Sequence, residues 1–268
     1  MLYQYEDSIL NYDVIGKGKP IVIIHGFGGN MAYMKACMEP VFKKCHGYQR
    51  IYIDLPGMGK SKFNIKYASS DAILDIIVSF IKEHINQPFL VVGQSYGGYI
   101  ARGVLSYFGK QVDGMMLLCP VVHPENRNVE NACIKYADEE FLSKLNADDK
   151  DAYLEYAVVI NETTYQRFHQ SAHSALQEAN QEFLMTLKNH YTCSFDIDEK
   201  IKKLCYDKPV LFITAHQDIC VGYKDLWNLI DDYPKASFYM VDKAGHNMQT
   251  EQPDIFEALV KQWLQNIN

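Results

Sequence analysis

The chain has 268 residues, with 26 basic against 33 acidic side chains and a formal net charge of −7. That length suits one large domain or two small ones burying about 75 % of the unfolded surface, and 48 % apolar with 22 % charged residues excludes a disordered chain. The acidic balance disfavours nucleic acid or an anionic membrane as partner, no run approaches the roughly 18 apolar residues of a membrane span, and the opening Met1-Leu2-Tyr3-Gln4-Tyr5-Glu6-Asp7 does not read as a signal peptide.

In chain order, the segment up to Gly16-Lys17-Gly18-Lys19 reads as one or two antiparallel strands ending in a turn. Short continuous apolar runs follow at 20–24, 50–53, 88–92, 115–118 and 209–213, with a further strand at 236–241. Continuous rather than alternating runs suit strands buried on both faces of a parallel sheet. Helix patterns lie between them. In 70–86, Ser70 stands as a cap and Ile73, Ile76, Ile77, Phe80 and Ile81 fall on one face. A helix from about Gly98 to Phe108 ends at Gly109. In 253–267, Pro253 opens a helix whose stripe is Ile255, Phe256, Leu259, Val260, Trp263 and Leu264. Such alternation predicts an α/β fold with right-handed crossovers. From about 123 to 205 no strand is expected and the pattern is helical and polar. This stretch interrupts the alternation on the C-terminal side of a sheet, the edge at which open α/β sheets bind ligands.

The sharpest chemical signal is Gly93-Gln94-Ser95-Tyr96-Gly97-Gly98, placed directly between a strand and a helix. G-x-S-x-G in that context is a nucleophile elbow: small residues let the chain turn sharply enough for the serine hydroxyl to stand clear of the sheet. The helix start adds unpaired N–H groups and a positive dipole end. A serine needs a base. Among nine histidines, His246 stands in a loop after strand 236–241 and before the last helix, where it can meet Ser95. The base needs an acid to fix its tautomer. Asp218, after strand 209–213, is favoured over Glu125, which lies beyond the strand end Leu118-Cys119-Pro120. The order Ser…Asp…His suits this architecture. Loop His25-Gly26-Phe27-Gly28-Gly29 follows strand 20–24, so the backbone N–H groups of Phe27 and Tyr96 are the expected oxyanion donors. His25 is expected to hold the loop by hydrogen bonding.

Together with Asp54-Leu55-Pro56-Gly57-Met58-Gly59-Lys60-Ser61 and Ala215-His216-Gln217-Asp218, these segments resemble the α/β-hydrolase superfamily, in family order and over most of the chain. The resemblance implies a mostly parallel eight-stranded sheet flanked by helices, a Ser95–His246–Asp218 triad and a variable helical cap. The core is then 1–122 and 206–268, and the cap is 123–205. Gln94 stands where many relatives carry histidine, and Ala215 where many carry glycine; neither removes a reacting group. The serine argues against the aspartate chemistry of haloalkane dehalogenases and epoxide hydrolases.

Other signals are weaker. Gly57-Met58-Gly59-Lys60-Ser61 ends like a phosphate-binding loop, but Asp54 occupies the position of the first glycine. His169 and His173 share a helical face without the glutamate of a zinc protease. Asp138, Glu139, Glu140, Asp148, Asp149 and Asp151 suit helix N-termini. Tyr136, Phe141, Tyr153, Tyr156 and Tyr165 either pack the cap or line a pocket. Seven scattered cysteines, at 37, 45, 119, 133, 193, 205 and 220, read as reduced thiols in a cytoplasmic protein. The expectation is a serine hydrolase cleaving a small carboxylic ester through an acyl-enzyme, with no cofactor and no metal. Amide, thioester, lactone or carbon–carbon cleavage and acyl transfer are the alternatives on the same fold. A non-catalytic ligand-binding module is the alternative of another class.

Overall fold

Eight strands form one sheet in the order β1-β2-β4-β3-β5-β6-β9-β10. The computed structural model describes residues 1–129, 134–145, 153–173 and 178–267, with the side chains of 172 and 173 outside the description. Strand β1 (Leu2–Tyr5) pairs antiparallel with β2 (Ser8–Ile15), and β2 pairs antiparallel with β4 (Tyr48–Ile53). From β4 inward all pairing is parallel, through β3 (Lys19–Ile24), β5 (Phe89–Gln94), β6 (Val112–Leu118), β9 (Val210–Ala215) and β10 (Ala236–Val241). The residues of β5 and β9 are all buried, which is why their runs are continuously apolar; β2 alternates buried and half-buried residues over its first six positions. The antiparallel opening and the mostly parallel eight-stranded sheet match the expected α/β-hydrolase architecture.

Two groups of helices flank the sheet. Helix α1 (Met31–Phe42), capped by the Asn30 side chain, packs on the C-terminal helix, whose Phe256, Val260, Trp263 and Leu264 are buried. Helix α2 (Ser70–His84) packs on α3 (Tyr96–Phe108). The cap of α2 is Ser69, whose side chain accepts from the Ala72 N–H. The expected cap, Ser70, is instead the first helical residue, and its hydroxyl bonds the Tyr96 hydroxyl at 2.8 Å and donates to the Tyr191 carbonyl at 2.6 Å. Either serine satisfies the local pattern; the tertiary partners of Ser70 decide between them.

Residues 123–205 enter between β6 and β9 and correct one expectation, since they contain two short strands. Strand β7 (Tyr136–Ala137) pairs parallel with β8 (Val159–Ile160). Among the described residues they are accompanied by helices α4 (Glu139–Lys144), α5 (Glu162–Phe168), α6 (Gln181–Asn189) and α7 (Ile197–Leu204), with a π-helical turn at His169–His173. Tyr153, Ala157, Ile160 and Phe168 make a small apolar cluster of their own. Phe183, Leu184, Leu187, Ile197 and Ile201 belong to the main core, and α7 packs on α3. The Phe183 ring fills the space that a Cβ on Gly57 would enter, at 2.4 Å. Complete burial of such a side chain contributes about 1.5–3 kcal/mol. Among the described residues no helix is long and apolar enough to cross a membrane.

The strand order carries the functional consequence. From β3 the chain crosses to β4 on one side, and β5 then pairs on the other side of β3. Adjacent loops leaving β3 and β5 therefore diverge, and a crevice opens beyond the C-terminal strand ends at this switch point.

Candidate active site

Ser95 joins β5 to α3 with φ 52° and ψ −119°, a conformation costly for any residue with a side chain. The surrounding hydrogen bonds hold it there: Ser95 N–H donates to the Leu118 carbonyl at 3.0 Å, and the Ser95 carbonyl accepts from Gly98 and Val121 N–H, each at 2.9 Å. The glycines are needed for space. A Cβ on Gly93 would lie 2.2 Å from the Gly97 carbonyl oxygen, and one on Gly97 would lie 2.4 Å from the carbonyl oxygens of both Ile24 and His25. The elbow thus packs directly on the end of β3.

The loop after β3 runs against the same serine. A Cβ on Gly26 would meet Gln94 Oε1 at 2.3 Å and Ser95 Cβ at 3.0 Å. His25 is completely buried; Nδ1–H donates to the Gly26 carbonyl at 2.7 Å, and Nε2 accepts from Leu55 N–H at 2.9 Å. Burial pushes the pKa of this imidazole down, in keeping with a neutral ring that both donates and accepts. Phe27 N–H and Tyr96 N–H, the two donors expected from the sequence, have no protein acceptor among the described residues. The neighbouring Asp54 turn is self-contained: its carboxylate accepts from Met31 N–H at 2.7 Å, Lys60 N–H at 2.9 Å and Asn11 Nδ2 at 2.7 Å. Within the turn that ends like a phosphate-binding loop, Lys60 N–H thus serves this internal carboxylate, while Met58 and Ser61 N–H donate to the Leu55 and Met58 carbonyls.

The loops after β9 and β10 bring the other two residues in. His246 Nε2 lies 2.9 Å from Ser95 Oγ, and His246 Nδ1 lies 2.9 Å from Asp218 Oδ2. Asp218 is held by its other oxygen, which accepts from Cys220 N–H at 2.8 Å and Val221 N–H at 3.1 Å. Its side chain is 1 % exposed and that of His246 14 %. Glu125 is elsewhere, on the cavity rim, with Oε1 accepting from the Thr192 hydroxyl at 3.1 Å. With Nδ1–H donating to Asp218, Nε2 is left to accept from the serine hydroxyl. Such an arrangement has the geometry to pass a proton from hydroxyl to imidazole and to stabilise the resulting cation.

Further groups hold these loops; Gln94 and Gln217 stand in the elbow and Ala215-His216-Gln217-Asp218 motifs, whereas Tyr33 and Glu251 are not singled out by the sequence. Gln217 Oε1 accepts from Ala244 N–H at 3.2 Å, while Nε2 donates to Asp242 at 2.7 Å. Tyr33 donates to Asn247 Oδ1 at 2.7 Å. Gln94 Nε2 lies 3.4 Å from His246 Nε2. Glu251 Oε2 accepts from Gly245 N–H at 2.6 Å, and Oε1 from Val158 and Val159 N–H at 2.6 and 3.0 Å. Tyr33 and Glu251 have no local sequence signature, because Asn247 is 214 residues from Tyr33 and Val158 and Val159 are 93 and 92 residues from Glu251.

Ser95 and His246 open into a cavity of about 590 Å³, within the ordinary range of small-molecule sites. Phe27, Tyr156, Phe168, Leu184 and Tyr191 provide its apolar lining. The Tyr191 ring stacks on Tyr96 at 4.6 Å and meets Phe27 edge-on at 5.6 Å. Of the aromatic residues weighed from sequence, Tyr156 faces the cavity, whereas Tyr153 is buried with its hydroxyl 2.6 Å from that of Thr164. Asp138 caps α4 through Phe141 N–H; Asp148, Asp149, Asp151 and Cys133 lie outside the described residues, as does the side chain of His173.

Among the described residues, the side chains able to surround a metal are Asp218, Cys220 and His246, with ligand atoms within 4.8 Å of one another. Asp218 is already committed to His246, and burial raises the Cys220 pKa, which keeps the thiol protonated and a poor ligand. The geometry suits proton transfer better than cation binding.

Residues 19–253 match the family model described as the alpha/beta hydrolase fold. The crystal structure of an alpha/beta superfamily hydrolase from Oenococcus oeni PSU-1 superposes with a TM-score of 0.90 at 26 % identity, covering 100 % of this chain and 99 % of that one. An esterase from Exiguobacterium antarcticum gives a TM-score of 0.73 at 18 % identity over 98 % of both chains, a likeness of fold. The Caenorhabditis elegans abhydrolase domain-containing protein abhd-5.2 is 22 % identical over 90 % of this chain, which spans only 58 % of that relative's length. With the switch-point crevice, the strand-to-helix serine and the family match over most of its length, the chain belongs to the alpha/beta hydrolase fold family.

Proposed function

We propose that the protein is a serine hydrolase that cleaves a small carboxylic ester through an acyl-enzyme. Ser95 Oγ attacks the ester carbonyl as His246 Nε2 takes its proton; the C–O bond to the alcohol then breaks, and His246 returns the proton to the leaving oxygen. A water deprotonated by His246 next attacks the acyl-enzyme, releasing the carboxylic acid and restoring Ser95. Asp218 orients His246 and stabilises its cation. Phe27 and Tyr96 N–H groups take the negative oxygen of each tetrahedral intermediate. The observation that carries this reading is the continuous 2.9 Å and 2.9 Å relay from Ser95 through His246 to Asp218.

Residues 123–205 serve in this reading as a cap over the core 1–122 and 206–268, since Tyr156, Phe168, Leu184 and Tyr191 line the cavity. A small substrate is supported by the cavity's size, and a cytoplasmic setting by the scattered free thiols among the described residues. The test is hydrolysis of short p-nitrophenyl esters by wild type and Ser95→Ala, with fluorophosphonate labelling mapped by mass spectrometry. Turnover that falls at least about 10³-fold in the variant, with label on Ser95, supports the assignment; equal rates overturn it.

A further inference from the structure

We propose that Glu251 is a positioning residue that straps the insertion to the loop carrying His246, so that one carboxylate sets both the cavity wall and the base. The proposal rests on the reading of His246 as the general base.

Glu251 ends the short helix Met248–Glu251, immediately after the His246 loop, and is 8 % exposed. Its two oxygens serve different parts of the molecule. One takes Gly245 N–H, the residue before His246, while the other takes Val158 and Val159 N–H at the start of β8. The contact continues around them. A Cβ on Gly245 would lie 2.7 Å from Val158 Cγ2 and 3.0 Å from the Tyr156 carbonyl oxygen, so the insertion presses directly on the His246 loop. Tyr156 faces the cavity, and Tyr136 N–H donates to the Val158 carbonyl at 2.7 Å, fastening the same segment to β7.

The electrostatics set this acid apart from the surface carboxylates. Burial pushes its pKa up, the three N–H groups pull it down, and nearby Asp218 pushes it up; burial prevails. Burying a carboxylate is costly, yet no neutral side chain replaces it fully. Glutamine keeps the length but turns an NH₂ group toward N–H donors on one side, so one half of the strap must open. Aspartate keeps the charge but is one methylene too short to reach both halves. A misplacement of about 1 Å at a reacting group costs about 10²-fold in rate. A carboxylate acting only as a structural clamp would lower stability and leave the turnover of folded molecules unchanged.

The experiment compares full-length wild type, Glu251→Gln and Glu251→Asp, with active sites titrated by fluorophosphonate. Per titrated site, kcat for a p-nitrophenyl ester is expected to fall about ten- to a hundredfold in both variants, with KM changing far less and the labelling rate of Ser95 falling in step. Unchanged kcat per site and unchanged labelling, even with a lower melting temperature, overturn the proposal. Amide hydrogen exchange on the wild type does not depend on the variants folding. The Gly245, Val158 and Val159 amides are expected to be protected and to open together, and an unprotected Gly245 amide overturns the strap. If wild type neither turns over esters nor takes the label, the serine-hydrolase reading fails and the positioning role falls with it. If wild type does both and the Glu251 variants match it, the strap alone fails.

Discussion

Replacing Gly97 with alanine tests whether the elbow and the loop after β3 are one mechanical unit. The added Cβ would sit 2.4 Å from the carbonyl oxygens of Ile24 and His25 and 2.8 Å from the Ile24 carbonyl carbon. These are main-chain atoms in a buried parallel strand and its exit, so no rotamer change relieves the contact. Ordinary contact at about 3.4 Å requires a relative displacement of about 1 Å. Two clashing carbonyls place the stability cost near the upper end of the 1–3 kcal/mol typical of overpacking, about 3 kcal/mol. The same displacement separates Phe27 N–H from the Ser95–Tyr96 turn, and a shift of that size costs about 10²-fold in rate. The assay is kcat/KM for a short p-nitrophenyl ester at a temperature where urea titration shows the variant folded, beside Gly47→Ala as control. Gly47 has φ +88° and nothing within 4 Å of its Cβ position, so the control loses about 1–2 kcal/mol to backbone strain and keeps its kcat/KM. A folded Gly97→Ala protein with kcat/KM within twofold of wild type would refute the steric account of the elbow.

Asp218→Asn keeps the shape of the acid but removes its charge and disturbs the His246 tautomer; kcat for ester hydrolysis should fall about 10⁴-fold with KM little changed, and a loss under tenfold would count against the relay. The Glu257 carboxyl is pulled down to about 2 by Lys261 and then Lys44; a depressed carboxylate stabilises the fold above its unfolded pKa and loses that contribution as pH falls through its folded one. The melting-temperature gap between wild type and Glu257→Gln should therefore be present at pH 7, shrink below about pH 4.5 and vanish near pH 2; a gap independent of pH would contradict the pairing. Burial raises the Cys37 thiol to about 12 and the Cys193 thiol to about 11, whereas Cys205 is exposed. Iodoacetamide at pH 8 should modify Cys205 while sparing Cys37 and Cys193 in the folded protein, and equal modification by peptide mapping would disprove it.

The sequence by itself determined whatever contiguous residues encode. Buried parallel strands need unbroken apolar runs, so 20–24 lies within β3, and 88–92 and 209–213 overlap β5 and β9, these two runs each beginning at the proline just before the strand. The elbow needs glycine on both sides of its serine, for the steric reasons seen at Gly93 and Gly97. A strand end followed by a loop histidine or aspartate is likewise a local pattern, which makes Ser95, Asp218 and His246 legible as candidates, whereas their 2.9 Å contacts belong to the fold.

Only the tertiary structure decided between equal local patterns and among distant partners. Ser69 and Ser70 are both competent caps, and the bonds of Ser70 to Tyr96 and Tyr191 assign the role to Ser69. Strands β7 and β8 have two residues each and lie more than twenty residues apart; runs that short have no period to detect, and their pairing exists only because the insertion folds back on itself. Glu251 carries no sequence signature because its partners are main-chain N–H groups, which every residue but proline possesses. What collects Gly245, Val158 and Val159 around that one carboxylate is the closure of the chain, not the identity of the residues.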